Sequence, residues 1–145
     1  MDDEPRGGDA ASPGPEPRQP AGPAPGEPES AYDLLQRGRA LLAGRHHAQA
    51  AIVLARAARL EPGRGSILEP LGRAYFMTGQ LERASEAFEA LLAVDPSSHY
   101  GHYALGRTLI RAGRAAEGRT HLRLAVALAP HSRLYRGGLR RLAGE

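Results

Sequence analysis

"LGRAYF" occupies residues 71–76, and a near copy, "LGRTLI", stands 34 positions on at 105–110. A degraded copy lies 34 positions earlier, inside "QRGRALL" at 36–42. Two columns follow: Gly38, Gly72 and Gly106, then Arg39, Arg73 and Arg107. A third column, Pro62, Pro96 and Pro130, closes the stretches "ARLEP", "LAVDP" and "VALAP". Three independent columns at one period mark an internal repeat, which takes precedence over any local motif. The units run 31–64, 65–98 and 99–132, with a remnant at 133–145.

Each unit reads as two helices, so the fold class is all-α. In the middle one, "ILEPLGRAYFMTG" precedes "QLERASEAFEALLAVDP". Leu68, Leu71 and Tyr75 recur at helical spacing, as do Ala84, Phe88 and Leu91. Gly79 supplies the turn, and Pro96 blocks continuation of the second helix. Ser66 with Glu69 reads as a capping box at the start of the unit. Pro70, about one turn in, predicts a helix that starts late or bends there.

This pattern resembles the tetratricopeptide repeat family across residues 31–132. The middle unit matches best, with Leu71-Gly72, Tyr75, Ala84, Phe88 and Pro96; Leu91 stands where a small Ala is usual. The third keeps Leu105-Gly106, Leu109, Leu122, Ala125 and Pro130, with Gly118 at the first Ala position. The first keeps Gly38, Leu41, Ala50, Leu54, Ala57 and Pro62, with Arg37 where Leu is expected. The resemblance implies a right-handed α-solenoid of three helix-turn-helix hairpins. Residues 133–145 then form a capping helix from Ser132, covering the third unit with Tyr135, Leu139 and Leu142 and weakened by Gly137-Gly138. Mid-helix glycines cost about 1 kcal/mol relative to Ala, so the Gly column implies close helix contacts that leave no room for a Cβ.

Arg39, Arg73 and Arg107 follow the glycines by one position, about 100° round the helix and off the packing face. In the family, the first helices line a concave groove that holds extended peptides or helices. The groove stripes expected here are Tyr32, Leu35, Arg39 and Leu42; then Ser66, Glu69, Arg73, Phe76 and Met77; then Tyr100, Tyr103, Arg107, Ile110 and Arg111. Guanidinium groups pair bidentately with carboxylates and stack on aromatic rings. The expected function is a non-catalytic adaptor or scaffold whose protein or peptide partner is acidic, with apolar anchors at Leu42, Phe76 and Ile110. The same arginines can instead be solvated or pair locally, for example with Glu69. Some members clamp chaperone carboxyl tails with Lys, Asn and Arg side chains; this chain has no Lys and no Asn, so that clamp is absent in its usual form.

Composition sets the remaining bounds. Residues 1–30 hold eight of the twelve prolines and carry a net −5, which reads as a disordered acidic tail. The other 115 residues then carry +8, because the whole chain is +3. A tethered acidic tail can also occupy a basic groove intramolecularly. All 19 basic residues are Arg, which with the absence of Lys and Asn implies a GC-rich genome such as an actinobacterial one. There is no Cys, no run of the roughly 18 apolar residues that a membrane span needs, and no apolar leader, so a cytoplasmic location is expected. No phosphate loop, nucleophile elbow or His-Glu helix motif appears, and no catalysis or cofactor is expected. His99, His102, His121 and His131 fall in one unit, and His46-His47 in a turn, without acids to complete a metal site, so no metal is expected. The alternative partner class is nucleic acid, held by Arg119, Arg123, Arg133, Arg136, Arg140 and Arg141.

Overall fold

A computed structural model describes residues 26–144. The first 25 residues of the expected tail, and with them its contact with the groove, lie outside the described residues. The described residues form seven helices and no strand. They are α1 (Ala31–Ala43), α2 (His47–Leu60), α3 (Gly65–Met77), α4 (Leu81–Val94), α5 (His99–Arg111), α6 (Ala115–Leu128) and α7 (Arg133–Ala143). None is long and apolar enough to cross a membrane.

The period of 34 is written directly into the helices. First helices begin at residues 31, 65, 99 and 133, and second helices at 47, 81 and 115. The turn within each hairpin repeats in detail. His46 N donates to Leu41 O at 2.8 Å, Gln80 N to Tyr75 O at 2.9 Å and Arg114 N to Leu109 O at 2.8 Å. Such bonds satisfy carbonyls that a helix end otherwise leaves open. The turn needs a left-handed residue, supplied by Gly79 (φ 75°) and Gly113 (φ 88°); Arg45 takes the same conformation at φ 62°.

The expected Ser66–Glu69 capping box is not formed. Ser66 lies inside α3, whose N-cap is Arg64 with no side-chain cap. The serine caps stand two positions earlier in the register, at Ser30, Ser98 and Ser132. Ser30 forms the capping box, accepting from Asp33 N at 3.1 Å while Asp33 Oδ2 accepts from Ser30 N at 3.1 Å. Pro70 neither delays nor ends α3: the helix runs through it, and its ring is buried. Its missing N–H leaves the Ser66 carbonyl without its usual helical partner.

Successive helices pack as antiparallel neighbours, and the first helices also touch one another, α1 on α3, α3 on α5 and α5 on α7. The second helices α2, α4 and α6 make no such contacts with each other. The first helices are therefore the inner row of a curved stack. Three apolar clusters run through it, from Leu34, Leu54 and Ile67, through Phe88 and Leu105, to Leu122 and Tyr135. α7 seals the last cluster with Tyr135 and Leu139, whereas Leu142 remains 40% exposed. The Gly137-Gly138 pair lies within α7, and a Cβ on Gly138 would stand 2.8 Å from the Tyr103 ring that α7 covers.

The Gly column has its cause here. A Cβ on Gly38 would run into the Leu54 side chain, and one on Gly72 would stand 2.5 Å from the Phe88 ring. On Gly106 it would meet Gly118 O at 2.8 Å and Leu122 at 2.9 Å.

Candidate functional site

A cavity of about 250 Å³ opens on the inner row at the middle hairpin. It is lined by Leu42 from α1, His47 from α2, Arg73, Phe76 and Met77 from α3, Phe88 from α4, and Tyr100, Ala104 and Arg107 from α5. Repeating geometry explains the gathering. Residues at equivalent register on parallel first helices fall beside one another, so Leu42 and Phe76 align, as do Arg73 and Arg107.

Six of the expected groove residues line this cavity: Leu42, Arg73, Phe76, Met77, Tyr100 and Arg107. Arg111 joins them through Phe76, and Tyr32 and Arg39 lie exposed further along α1. Leu35 and Tyr103 do not face solvent: they are 8% and 4% exposed, within the first and third apolar clusters. Tyr103 is drawn inward by α7, its ring 5.0 Å from that of Tyr135. Ile110, expected as an anchor, is half-buried and packs toward α6, where its Cγ1 lies 2.5 Å from the place of a Gly118 Cβ. Register alone does not foresee this, because Gly118 replaces the Ala of the other hairpins and brings α6 closer.

The arginines are not equivalent. The Arg107 guanidinium lies 4.7 Å from the Phe76 ring centre and 5.4 Å from that of Tyr103. Arg111 lies 5.1 Å from Phe76 and donates from Nη1 to Phe76 O at 3.3 Å. Stacking of this kind fixes a guanidinium while leaving its N–H edge available to a carboxylate. Arg73 instead meets Glu69, Nη1 to Oε1 at 3.4 Å. Burial first, and then the Glu69 carboxylate, push the Tyr100 hydroxyl up to about 12, so Tyr100 serves the cavity as a neutral donor or acceptor.

His47, Phe88 and Ala104 also line the cavity and lie outside the expected stripes. His47 Nδ1 is buried without a hydrogen-bond partner. The signal available was the break after α1, which places the first residue of α2 beside the end of the inner row. The Arg column also has a fourth member, Arg141, at the same register on α7 and exposed.

Three other histidines, His99, His102 and His121, are structural partners. His99 Nδ1 is 2.7 Å from the Tyr135 hydroxyl. His102 Nε2 lies 2.9 Å from Pro96 O, and its Nδ1 lies 3.0 Å from His121 Nδ1. A carbonyl only accepts, so Nε2 of His102 carries its proton and its Nδ1 accepts from His121 Nδ1–H when both rings are neutral. Among the described residues no group of three or more His, Asp or Glu side chains is placed to hold a metal ion. Burial, then the neighbouring His102, hold His121 below the ordinary histidine value of 6.5. Below pH 6.5 the unfolded chain therefore takes up a proton that the folded chain resists, and stability falls with pH. The melting temperature is expected to be flat from pH 8 to 7 and to drop from pH 6.5 downward. His121→Gln should flatten that part of the profile in a thermal melt series.

Arg119 and Arg123 lie on α6 and Arg133, Arg136, Arg140 and Arg141 on α7, and none of them lines the cavity.

The tetratricopeptide repeat family model matches residues 35–84 and 70–133, most of the chain. No curated protein matches. Among solved structures, the first tetratricopeptide domain of Spaghetti (RPAP3), bound to the HSP90 peptide SRMEEVD, has a TM-score of 0.74 at 15% identity, covering 79% of this chain and 91% of that one. The Arabidopsis OM64 domain also gives 0.74, at 16% identity, covering 79% and 95%. MamA from Desulfovibrio magneticus RS-1 gives 0.73 at 24% identity, covering 76% of this chain and 62% of that chain. At these identities the likeness is one of fold.

Proposed function

The chain belongs to the tetratricopeptide repeat family, and on that footing we propose that it is an adaptor that holds a segment of a protein partner along its inner row of helices. The observation that carries this reading is the cavity at the middle hairpin. Its lining combines the apolar side chains Leu42, Phe76 and Met77 with the cations Arg73 and Arg107. Met77 is 55% exposed in the free chain, an apolar surface that a bound segment would cover. Apolar side chains of the partner would fill the cavity, and its carboxylates would pair with the guanidinium edges. Mechanism here means selective binding rather than chemistry.

The peptide on the Spaghetti domain, SRMEEVD, combines carboxylates with Met and Val, the kind of segment proposed here. A clamp of Lys and Asn cannot serve this chain, which has neither, so Arg side chains and Tyr100 would make the polar contacts. The test is a pull-down from native lysate with the full chain and with the Arg39→Ala, Arg73→Ala, Arg107→Ala triple variant. The expected result is a partner held by the first and lost by the second, with both folded by circular dichroism. Equal recovery on both would remove the groove as the site.

A further inference from the structure

The inner helices α1, α3 and α5 carry two carboxylates, Asp33 and Glu69. Asp33 is committed to the Ser30 capping box at the start of α1. Glu69 stands at the centre of the row, where α1 has Leu35 and α5 has Tyr103 at the same register. Its side chain is 34% exposed, and its contact with Arg73 is a single long one at 3.4 Å. An exposed i,i+4 pair of this geometry holds only weakly and is screened by salt. Its charge also reaches across to α5, where it contributes to the shift of Tyr100. Glu69 thus partly neutralises Arg73, while Arg107 and Arg111 are held on the Phe76 ring with no carboxylate paired to them among the described residues.

A uniformly acidic segment laid across this row would meet Arg107 and Arg111 favourably. It would then bring a carboxylate against Glu69 and, by covering it, exclude the water that screens it in the free chain. Like charges juxtaposed at an interface are a strong source of discrimination. A segment with a basic side chain at that point would pair with Glu69 instead. Resting on the groove reading above, we infer that Glu69 sets the charge pattern of the partner. The groove selects a segment whose carboxylates, aimed at Arg107 and Arg111, are interrupted by a basic residue opposite Glu69, over a segment that is acidic throughout.

The test uses three synthetic fluorescein-labelled peptides of equal length with Leu at the same anchor positions. Their polar positions are all Glu, alternating Glu and Lys, or all Lys. Anisotropy titrations at low salt are run on the full-length wild type, Glu69→Gln and Arg107→Ala, each checked by thermal melt. The mixed peptide is expected to bind wild type about tenfold more tightly than the all-Glu peptide, with the all-Lys peptide weakest. In Glu69→Gln the all-Glu peptide should gain about tenfold while the mixed one weakens for want of its Glu69 partner, so that the all-Glu peptide overtakes it. Equal affinities on wild type, or an unchanged ranking in Glu69→Gln while Arg107→Ala still weakens both Glu-containing peptides, would overturn the role of Glu69 and leave the groove reading standing. No binding of any peptide to wild type would remove the groove reading and this inference together.

Discussion

Phe88→Ala is expected to lower the unfolding free energy by about 3–5 kcal/mol, the range for truncating a fully buried aromatic ring. Phe88 is 1% exposed, in the cluster that joins α3, α4 and α5. The loss would be a large part of the roughly 5–15 kcal/mol that holds an ordinary domain together. Phe88 also lines the inner cavity, so truncation would open that cavity into the core. Its ring occupies the space that Gly72 leaves by lacking a Cβ, which would stand 2.5 Å away. Gly72→Ala alone should therefore destabilise, and the same change in a Phe88→Leu background should cost less. Urea denaturation of the two singles and the double yields that coupling directly. Strict additivity would show that the Gly column has a cause other than this contact.

Gly118→Ala is expected to destabilise by about 1–3 kcal/mol, against two arguments for the opposite sign. Ala favours a helix over Gly by about 1 kcal/mol. Ala50 and Ala84 also hold the equivalent position in the other hairpins and are fully buried there. The third hairpin differs because α5 and α6 meet through backbone. A Cβ on Gly118 would stand 2.7 Å from Gly106 O and 3.0 Å from Ile110 N, and neither atom can step aside as a side-chain tip can. Gly106→Ala faces Gly118 O at 2.8 Å and should behave alike. Once either variant has forced the helices apart, the second methyl should cost less, so the pair should fall short of additive in urea melts.

The helix register was legible because three columns at one period leave no freedom in where helices start and stop. The capping box expected at Ser66 fails because such a box is a local pattern that recurs by chance within a helix, and the N-cap of α3 is Arg64. The column Ser30, Ser98 and Ser132, seen at the repeat spacing, points to the caps that form. The late start or bend expected at Pro70 follows from the proline cost alone, which burial of its ring inside α3 offsets. For the cavity, register placed Leu42, Arg73, Phe76, Met77, Tyr100 and Arg107 together, since equivalent positions on parallel helices are neighbours. It failed for Leu35, Tyr103 and Ile110, whose exposure depends on what the next helix brings. α7 brings Tyr135 against Tyr103, and Gly118 lets α6 close over Ile110. The Arg73–Glu69 pair was legible as an i,i+4 spacing on one helix, whereas the seating of Arg107 and Arg111 on the Phe76 ring was not, because it depends on what lies across the gap between α3 and α5.

The inner row, at the middle hairpin, is the proposed binding surface. Amide and methyl chemical-shift mapping on the isotope-labelled full chain, titrated with the mixed Glu/Lys peptide carrying Leu anchors, locates the contact residue by residue. Shifts are expected to concentrate on Leu42, His47, Arg73, Phe76, Met77, Tyr100, Ala104 and Arg107 and to saturate together. Shifts confined to the outer faces of α2, α4 and α6, or to the arginines of α7, would contradict this proposal.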